Sequence, residues 1–144
     1  MKPLILVIDD DRGMCELLEL GLAKRGYEVR STTDARKVLE LLQQASFAAV
    51  VTDLNMPGQN GIELTRQLIG NRPDLPVVVI TAFGSMESAI EAMRAGAYDF
   101  LTKPLEVDAL AIVLQRAVQH HALREEVKLL RKAVAAAQSF DSLI

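Results

Sequence analysis

The sequence predicts an α/β fold with a five-stranded parallel sheet, helices on both faces and an extended C-terminal helix. Three observations predict it. Short apolar runs rich in β-branched residues alternate with longer amphipathic stretches along the chain. Polar residues able to do chemistry stand directly after the apolar runs rather than scattered among them. The last helical pattern, from Glu106 to about Gln138, meets no breaker and outgrows the domain it belongs to.

The first strand is expected at Leu4–Ile8, the third at residues 48–52 and the fourth at 76–81. All three are continuous apolar runs, as strands buried on both faces should be. Residues 27–31 and 97–101 are weaker strand candidates and are expected nearer the sheet edges. In the first helix Met14, Leu17, Leu18 and Leu22 recur at helical spacing, and the stretch ends at Gly26, a natural C-cap. The second helix is expected over 34–44. The third covers 61–70 and stops before Arg72-Pro73, and the fourth covers 85–95 and ends at Gly96. Strands alternating with helices of this length imply parallel pairing through right-handed crossovers.

In the last segment Leu110, Val113, Leu114 and Ala117 are expected to pack on the sheet. Further on, Leu123, Val127, Leu130, Val134 and Ala137 recur at steps of four, three, four, three, a heptad seam with Arg and Glu around it. An amphipathic helix folded back on its own domain is the alternative. Two to three heptads are short for a coiled coil alone, so the seam needs another contact to support it.

At 144 residues, half of them hydrophobic and 24% charged, the chain is sized for one domain with a short appendage. The formal charge of −3 leaves no electrostatic footprint for nucleic acid, so no direct nucleic-acid contact is expected. The single cysteine, Cys15, has no internal partner and reads as an apolar filler of the first helix. The apolar run at Leu4–Ile8 is too short for a signal h-region or a membrane span, which makes a cytoplasmic protein the expectation. Apart from a run of alanines at 135–137, no repeat or low-complexity tract appears.

In an open parallel sheet, ligands bind beyond the carboxyl ends of the strands. Asp9-Asp10-Asp11 follow the first strand, Asp53 the third, Thr81-Ala82 the fourth and Lys103-Pro104 the fifth. The second offers only Ser31 and Thr32. Clustered carboxylates repel one another, which raises their pKa values or recruits a cation. Hard oxygen donors with open positions suit Mg²⁺, which would also neutralise an incoming phosphoryl group while Asp53 attacks it in line. Lys103 and the Thr81 hydroxyl would bind the remaining phosphoryl oxygens. Singly, each residue has a plainer reading. Asp10 or Asp11 would serve as an N-cap, Asp53 as a turn residue before Met-Pro-Gly and Lys103 as a solvated lysine. Jointly, those readings do not explain why four of five strand ends carry matching groups.

Over residues 1 to about 120 the chain resembles a response-regulator receiver. The resemblance rests on Val7-Ile8-Asp9-Asp10-Asp11, Thr52-Asp53-Leu54-Asn55-Met56-Pro57-Gly58, Val79-Ile80-Thr81-Ala82 and Phe100-Leu101-Thr102-Lys103-Pro104, in order and spacing. It implies a doubly wound (βα)5, flavodoxin-like sheet of order 2-1-3-4-5. It implies Asp53 as phosphoacceptor and Asp10 and Asp53 as direct Mg²⁺ ligands, with the Asn55 backbone carbonyl as a third and Asp9 acting through water. Thr81 and Lys103 match the phosphoryl contacts, and Ala82 is small enough to leave access. Thr81 and Phe100 match the switch pair. Phe100 stands where the family often has Tyr, so no hydroxyl bond is available there.

Thr81-Ala82-Phe83-Gly84-Ser85 and the segment from Ala89 to Phe100 further resemble NtrC-type receivers, which precede an AAA+ ATPase acting on sigma-54 polymerase. The tail from Ser139 to Ile144 resembles the junction into that ATPase, and no phosphate-binding Gly-x-x-x-x-Gly-Lys-Ser/Thr loop is present. The expected organisation is therefore a receiver over 1–120 and a linker helix over 121–144, ahead of absent ATPase and DNA-binding domains. The implied partners are a sensor histidine kinase and a second copy. The second copy would meet the chain through the face of the fourth helix, fifth strand and fifth helix, and through Leu123, Val127, Leu130 and Val134 of the linker. No membrane contact is implied. An Asp-nucleophile phosphatase would need an acid two residues beyond Asp53, where Asn55 stands. A phosphorylation-independent interaction module would be marked by loss of Asp53, Asp10, Thr81 or Lys103, and all four are present. His120-His121 are adjacent and do not share a helical face, so they read as solvated or seam residues. Glu106 and Asp108 read as first-turn acids favoured by the helix dipole.

Overall fold

The computed structural model describes residues 2–58, 60–82 and 85–142, with side chains to 138. Phe83 and Gly84 of the 81–85 motif, and the side chains of the 139–144 junction, lie outside the described residues.

The strands are β1 (Leu4–Ile8), β2 (Glu28–Thr32), β3 (Ala49–Asp53), β4 (Val77–Thr81) and β5 (Asp99–Thr102). They form one parallel sheet of order β2-β1-β3-β4-β5, with the two weaker candidates at its edges. The helices are α1 (Arg12–Ala23), α2 (Val38–Gln44), α3 (Gly61–Asn71), α4 (Met86–Arg94) and α5 (Val107–Ser142). A 3-10 turn at Ala35–Lys37 takes the first residues expected of the second helix, where the Asp34 side chain caps Arg36 N–H. The edge strands sit one or two residues later than expected. Gly26 and Gly96, at φ +90° and +107°, turn the chain before each of them, which uses up the residues between helix and strand.

Strand alternation divides the core between the two faces. Leu6, Ile8, Val50, Val77 and Val79 pack beneath α2, α3 and α4 with Val38, Leu42, Leu64, Leu68 and Ala92. Ile5, Val7, Ala49, Val51, Val78 and Ile80 pack beneath α1 and α5 with Cys15, Leu18, Leu22, Leu110 and Leu114. In α1 the buried stripe is Cys15, Leu18 and Leu22, at steps of three and four, so Leu17, one residue off it, is half exposed.

The α5 helix is continuous for 36 residues. Leu110, Leu114 and Ala117 are fully buried, whereas Leu123, Leu130 and Val134 are more than half exposed. The extension is tethered locally at Asp74, whose carboxylate pairs with Lys128 at 2.8 Å and whose backbone carbonyl lies 3.1 Å from His121 Nδ1. Among the described residues no helix is long and apolar enough to cross a membrane.

Candidate functional site

Parallel pairing brings the carboxyl ends of all five strands to one edge, and the chain reverses direction across the sheet between β1 and β3. Asp9 follows β1 and Asp53 ends β3, so both carboxylates flank that switch point. Oxygens of Asp9, Asp10 and Asp53 lie within 4.8 Å of one another, with Asp9 and Asp53 buried and Asp10 exposed. Asp11 is set apart from this cluster. Its Oδ1 accepts the backbone N–H of Gly13 at 2.9 Å and of Met14 at 3.4 Å, which makes it the N-cap of α1.

Asp53 is held from two sides. Its Oδ1 accepts the Asn55 backbone N–H at 2.9 Å, and its Oδ2 accepts from Lys103 Nζ at 2.9 Å. Burial works against the Lys103 ammonium, but its bond to Asp53 and the charges of Asp53, Asp9 and Asp10 raise its pKa overall. Asp9 goes the other way. Burial, the larger cause, and the charge of Asp53 push its carboxyl up to about 6, against the opposing Asp11 N–H bond. Three carboxylates share this edge with one ammonium, that of Lys103, and three converging hard oxygens fit a small divalent cation of the Mg²⁺ kind.

The Thr81 hydroxyl is fully buried and, among the described residues, is the one buried side-chain polar atom without a hydrogen-bond partner. Such a group costs free energy unless something joins it, and it stands at the end of β4 beside this cluster's strands. Lys103 N–H donates to the Thr81 carbonyl at 2.9 Å, tying the ends of β4 and β5, and the Lys103–Pro104 peptide is cis. Phe100 lies on β5 opposite Val79, half-buried against the core beneath α2, α3 and α4. Leu123, Val127, Leu130 and Val134 are far along α5 and take no part in this edge of the sheet.

One contact escaped the sequence. The Asn55 side chain, expected to matter only through its backbone, accepts the Ala82 N–H at 2.7 Å through Oδ1. It thus latches the loop after β3 to the end of β4. No spacing rule signals a bond between residues 27 apart.

These strand-end groups coincide with a family-wide match, since the response regulator receiver domain matches residues 5–115. The chain belongs to the response-regulator receiver family. Receivers are the regulatory parts of two-component response regulators rather than conventional enzymes. This receiver is similar to the C4-dicarboxylate transport transcriptional regulatory protein DctD of Pseudomonas aeruginosa, 42% identical over 132 residues, or 91% of this chain and 28% of that protein. It is also similar to the regulatory protein AtoC of Escherichia coli K12, 30% identical over 131 residues, again 91% of this chain and 28% of that one. Among solved structures, NtrX from Brucella abortus superposes with a TM-score of 0.83 at 36% identity, covering 92% of this chain and 30% of NtrX. The receiver thus spans less than a third of these relatives' length.

Proposed function

We propose that this receiver accepts a phosphoryl group on Asp53 from the phosphohistidine of a sensor histidine kinase, and that the phosphorylated state switches its association and output. The observation that carries this reading is the Lys103–Asp53 pair at 2.9 Å, set among two further carboxylates and beside an unpartnered Thr81 hydroxyl.

The Asp53 carboxylate is the nucleophile. The Asn55 N–H holds one of its oxygens and so fixes the plane of attack. As the new P–O bond forms, the P–N bond to the kinase imidazole breaks and that ring keeps the electron pair. The Lys103 ammonium then leaves its pairing with free Asp53 for a phosphoryl oxygen, and the Thr81 hydroxyl gains the partner it lacks. Ala82 leaves room for the group, while its N–H keeps the Asn55 loop in place. Mg²⁺, when bound, supplies charge neutralisation at the phosphoryl oxygens; Asp10, Asp53 and the Asn55 carbonyl would hold it, with Asp9 acting through water. Asn55 carries no acid function, and its amide oxygen is engaged by Ala82, which argues against a general-acid role and hence against an external phosphatase activity.

Movement of Thr81 toward the phosphoryl group opens space on β4 for Phe100 to turn inward. That biases the face of α4, β5 and α5, where Met86, Ile90 and Met93 are exposed. A second copy would pack there and along Leu123, Val127, Leu130 and Val134, with residues 1–120 as the receiver and 121–144 as the linker. The resemblance to NtrC-type receivers extends the reading to control of a downstream AAA+ ATPase acting on sigma-54 polymerase, with DNA-binding domains beyond it.

Intact-protein mass after incubation with acetyl phosphate and Mg²⁺, beside Asp53→Ala, tests the chemistry. Gain of one phosphoryl group in the parent alone is expected. No gain in the parent would reduce the chain to an interaction module that keeps the fold only.

A further inference from the structure

At the sheet edge opposite Asp53, the loop between α3 and β4 meets the extension of α5. Asp74 of that loop, with His121 and Glu125 of α5, brings two carboxylate oxygens and one ring nitrogen within 4.8 Å of one another, all three side chains half-buried. His121 and Glu125 are four residues apart and share a helical face, the spacing by which helical side chains chelate metals. His120 is the neighbour that points elsewhere, its ring against Tyr98 at 5.8 Å.

Two details suit this cluster to holding a cation. The Lys128 ammonium lies 2.8 Å from Asp74 and 3.5 Å from Glu125, so both carboxylates already converge on one positive charge. His121 Nδ1 lies 3.1 Å from the Asp74 backbone carbonyl. A carbonyl only accepts, so Nδ1 carries the hydrogen of this contact, which leaves Nε2 as the ring nitrogen able to ligate a metal. A backbone carbonyl holding one ring nitrogen in this way is the usual support of a metal-ligating histidine. The pairing with Lys128 holds the Asp74 carboxyl down to about 2, against the effect of burial, so it is ionised at neutral pH. The nearby Arg72 guanidinium is engaged elsewhere, donating to the Leu42 carbonyl at 2.9 Å. Beside the three residues is a cavity of about 160 Å³, backed by Phe47 and Leu75.

We propose that Asp74, His121 and Glu125 form a second metal site, for a borderline divalent cation of the Zn²⁺ kind, which fastens the linker helix to the loop between α3 and β4. One imidazole with two carboxylates is a mixed nitrogen–oxygen set that suits Zn²⁺, whereas Mg²⁺ favours the all-oxygen cluster around Asp53. Binding exchanges one cation for another, because the metal takes the position between the carboxylates that Lys128 holds. With two ligands on α5 and one on the loop, the metal pins the direction in which the helix leaves the domain. This site stands independently of the phosphotransfer reading.

Zn²⁺ titration of the whole chain by calorimetry, in millimolar MgCl₂, tests the assignment. His121→Gln, Lys128→Gln and Asp10→Asn are run in parallel, with circular dichroism to confirm that each variant folds. The parent binds Zn²⁺ with a shift of the His121 ring resonances in NMR. His121→Gln lowers the affinity by about tenfold or more, since loss of a ligand costs at least what loss of a ligand's supporting partner does. Lys128→Gln raises the affinity severalfold by removing the competing ammonium, and Asp10→Asn leaves this binding unchanged. Absence of Zn²⁺ binding, equal affinity in His121→Gln, no gain in Lys128→Gln, or loss of binding in Asp10→Asn would each overturn the site.

Discussion

Three consecutive carboxylates do three different things at the end of β1. Asp9 is buried and its Oδ1 takes the Asp11 N–H, Asp10 is exposed within reach of Asp53, and Asp11 caps α1. Asp11→Ala should therefore cost about 1 kcal/mol of stability, as lost caps do, while acetyl phosphate still labels the protein. Asp10→Asn should do the reverse, leaving metal-free stability nearly unchanged while abolishing Mg²⁺ binding and labelling. Urea unfolding with Mg²⁺ titration and intact mass separates the two. Asp9 has its own signature. Its folded pKa is about 6 against an ordinary 3.8, raised first by burial, so the folded state binds its proton more tightly than the unfolded chain. The stability this gives is fully present below about pH 4 and is lost as pH rises to about 6, by at most about 3 kcal/mol. In metal-free buffer, unfolding of the parent should show that decline and Asp9→Asn should not.

At the scale of elements, packing decided matters that local pattern left open. Gly61 begins α3 where expected, but its reason is tertiary: a Cβ there would meet the Leu54 Cα and carbonyl oxygen at 2.6 Å. The helix start lies directly on the backbone that follows Asp53. Gly61→Ala should destabilise the fold by about 1–3 kcal/mol, as overpacking does, and weaken Mg²⁺ binding by shifting the Asn55 loop. Denaturant melts and Mg²⁺ titration check both effects. The α5 extension is tethered at Asp74 and otherwise exposed, which leaves Leu123, Leu130 and Val134 open to a second helix. If the heptad seam forms a dimer, Leu130→Asp should shift the phosphorylated chain toward monomer in sedimentation, with labelling of Asp53 unaffected.

The whole molecule places its two proposed sites at opposite edges of one sheet, with α5 running between them. Lys103 stands four residues before this helix begins, and Asp74 meets it again at His121 and Lys128. A ligand at the acidic edge that binds only the folded state must also stabilise the fold. At free Mg²⁺ about 100-fold above its dissociation constant, the gain should be about 2.7 kcal/mol. A thermal melt in millimolar MgCl₂ should therefore shift upward, and a melt indifferent to Mg²⁺ would count against the cation site.

Much of this protein is legible in its residue order. Continuous apolar runs rich in β-branched residues at Leu4–Ile8 and 76–81 mark central strands, because strands covered on both faces need no polar side. The strand-end groups Asp9, Asp10, Asp53, Thr81 and Lys103 are readable because a parallel sheet sends every carboxyl end to one edge, whatever the contacts prove to be. Only the tertiary structure decided between Asp10 and Asp11, since both would cap a helix and the choice depends on which carboxylate reaches Gly13 N–H. It alone brought the Asn55 side chain to Ala82 and Asp74 to His121, Glu125 and Lys128. Those contacts join residues with no common period, and they depend on how far apart two loops lie once the core beneath them has packed.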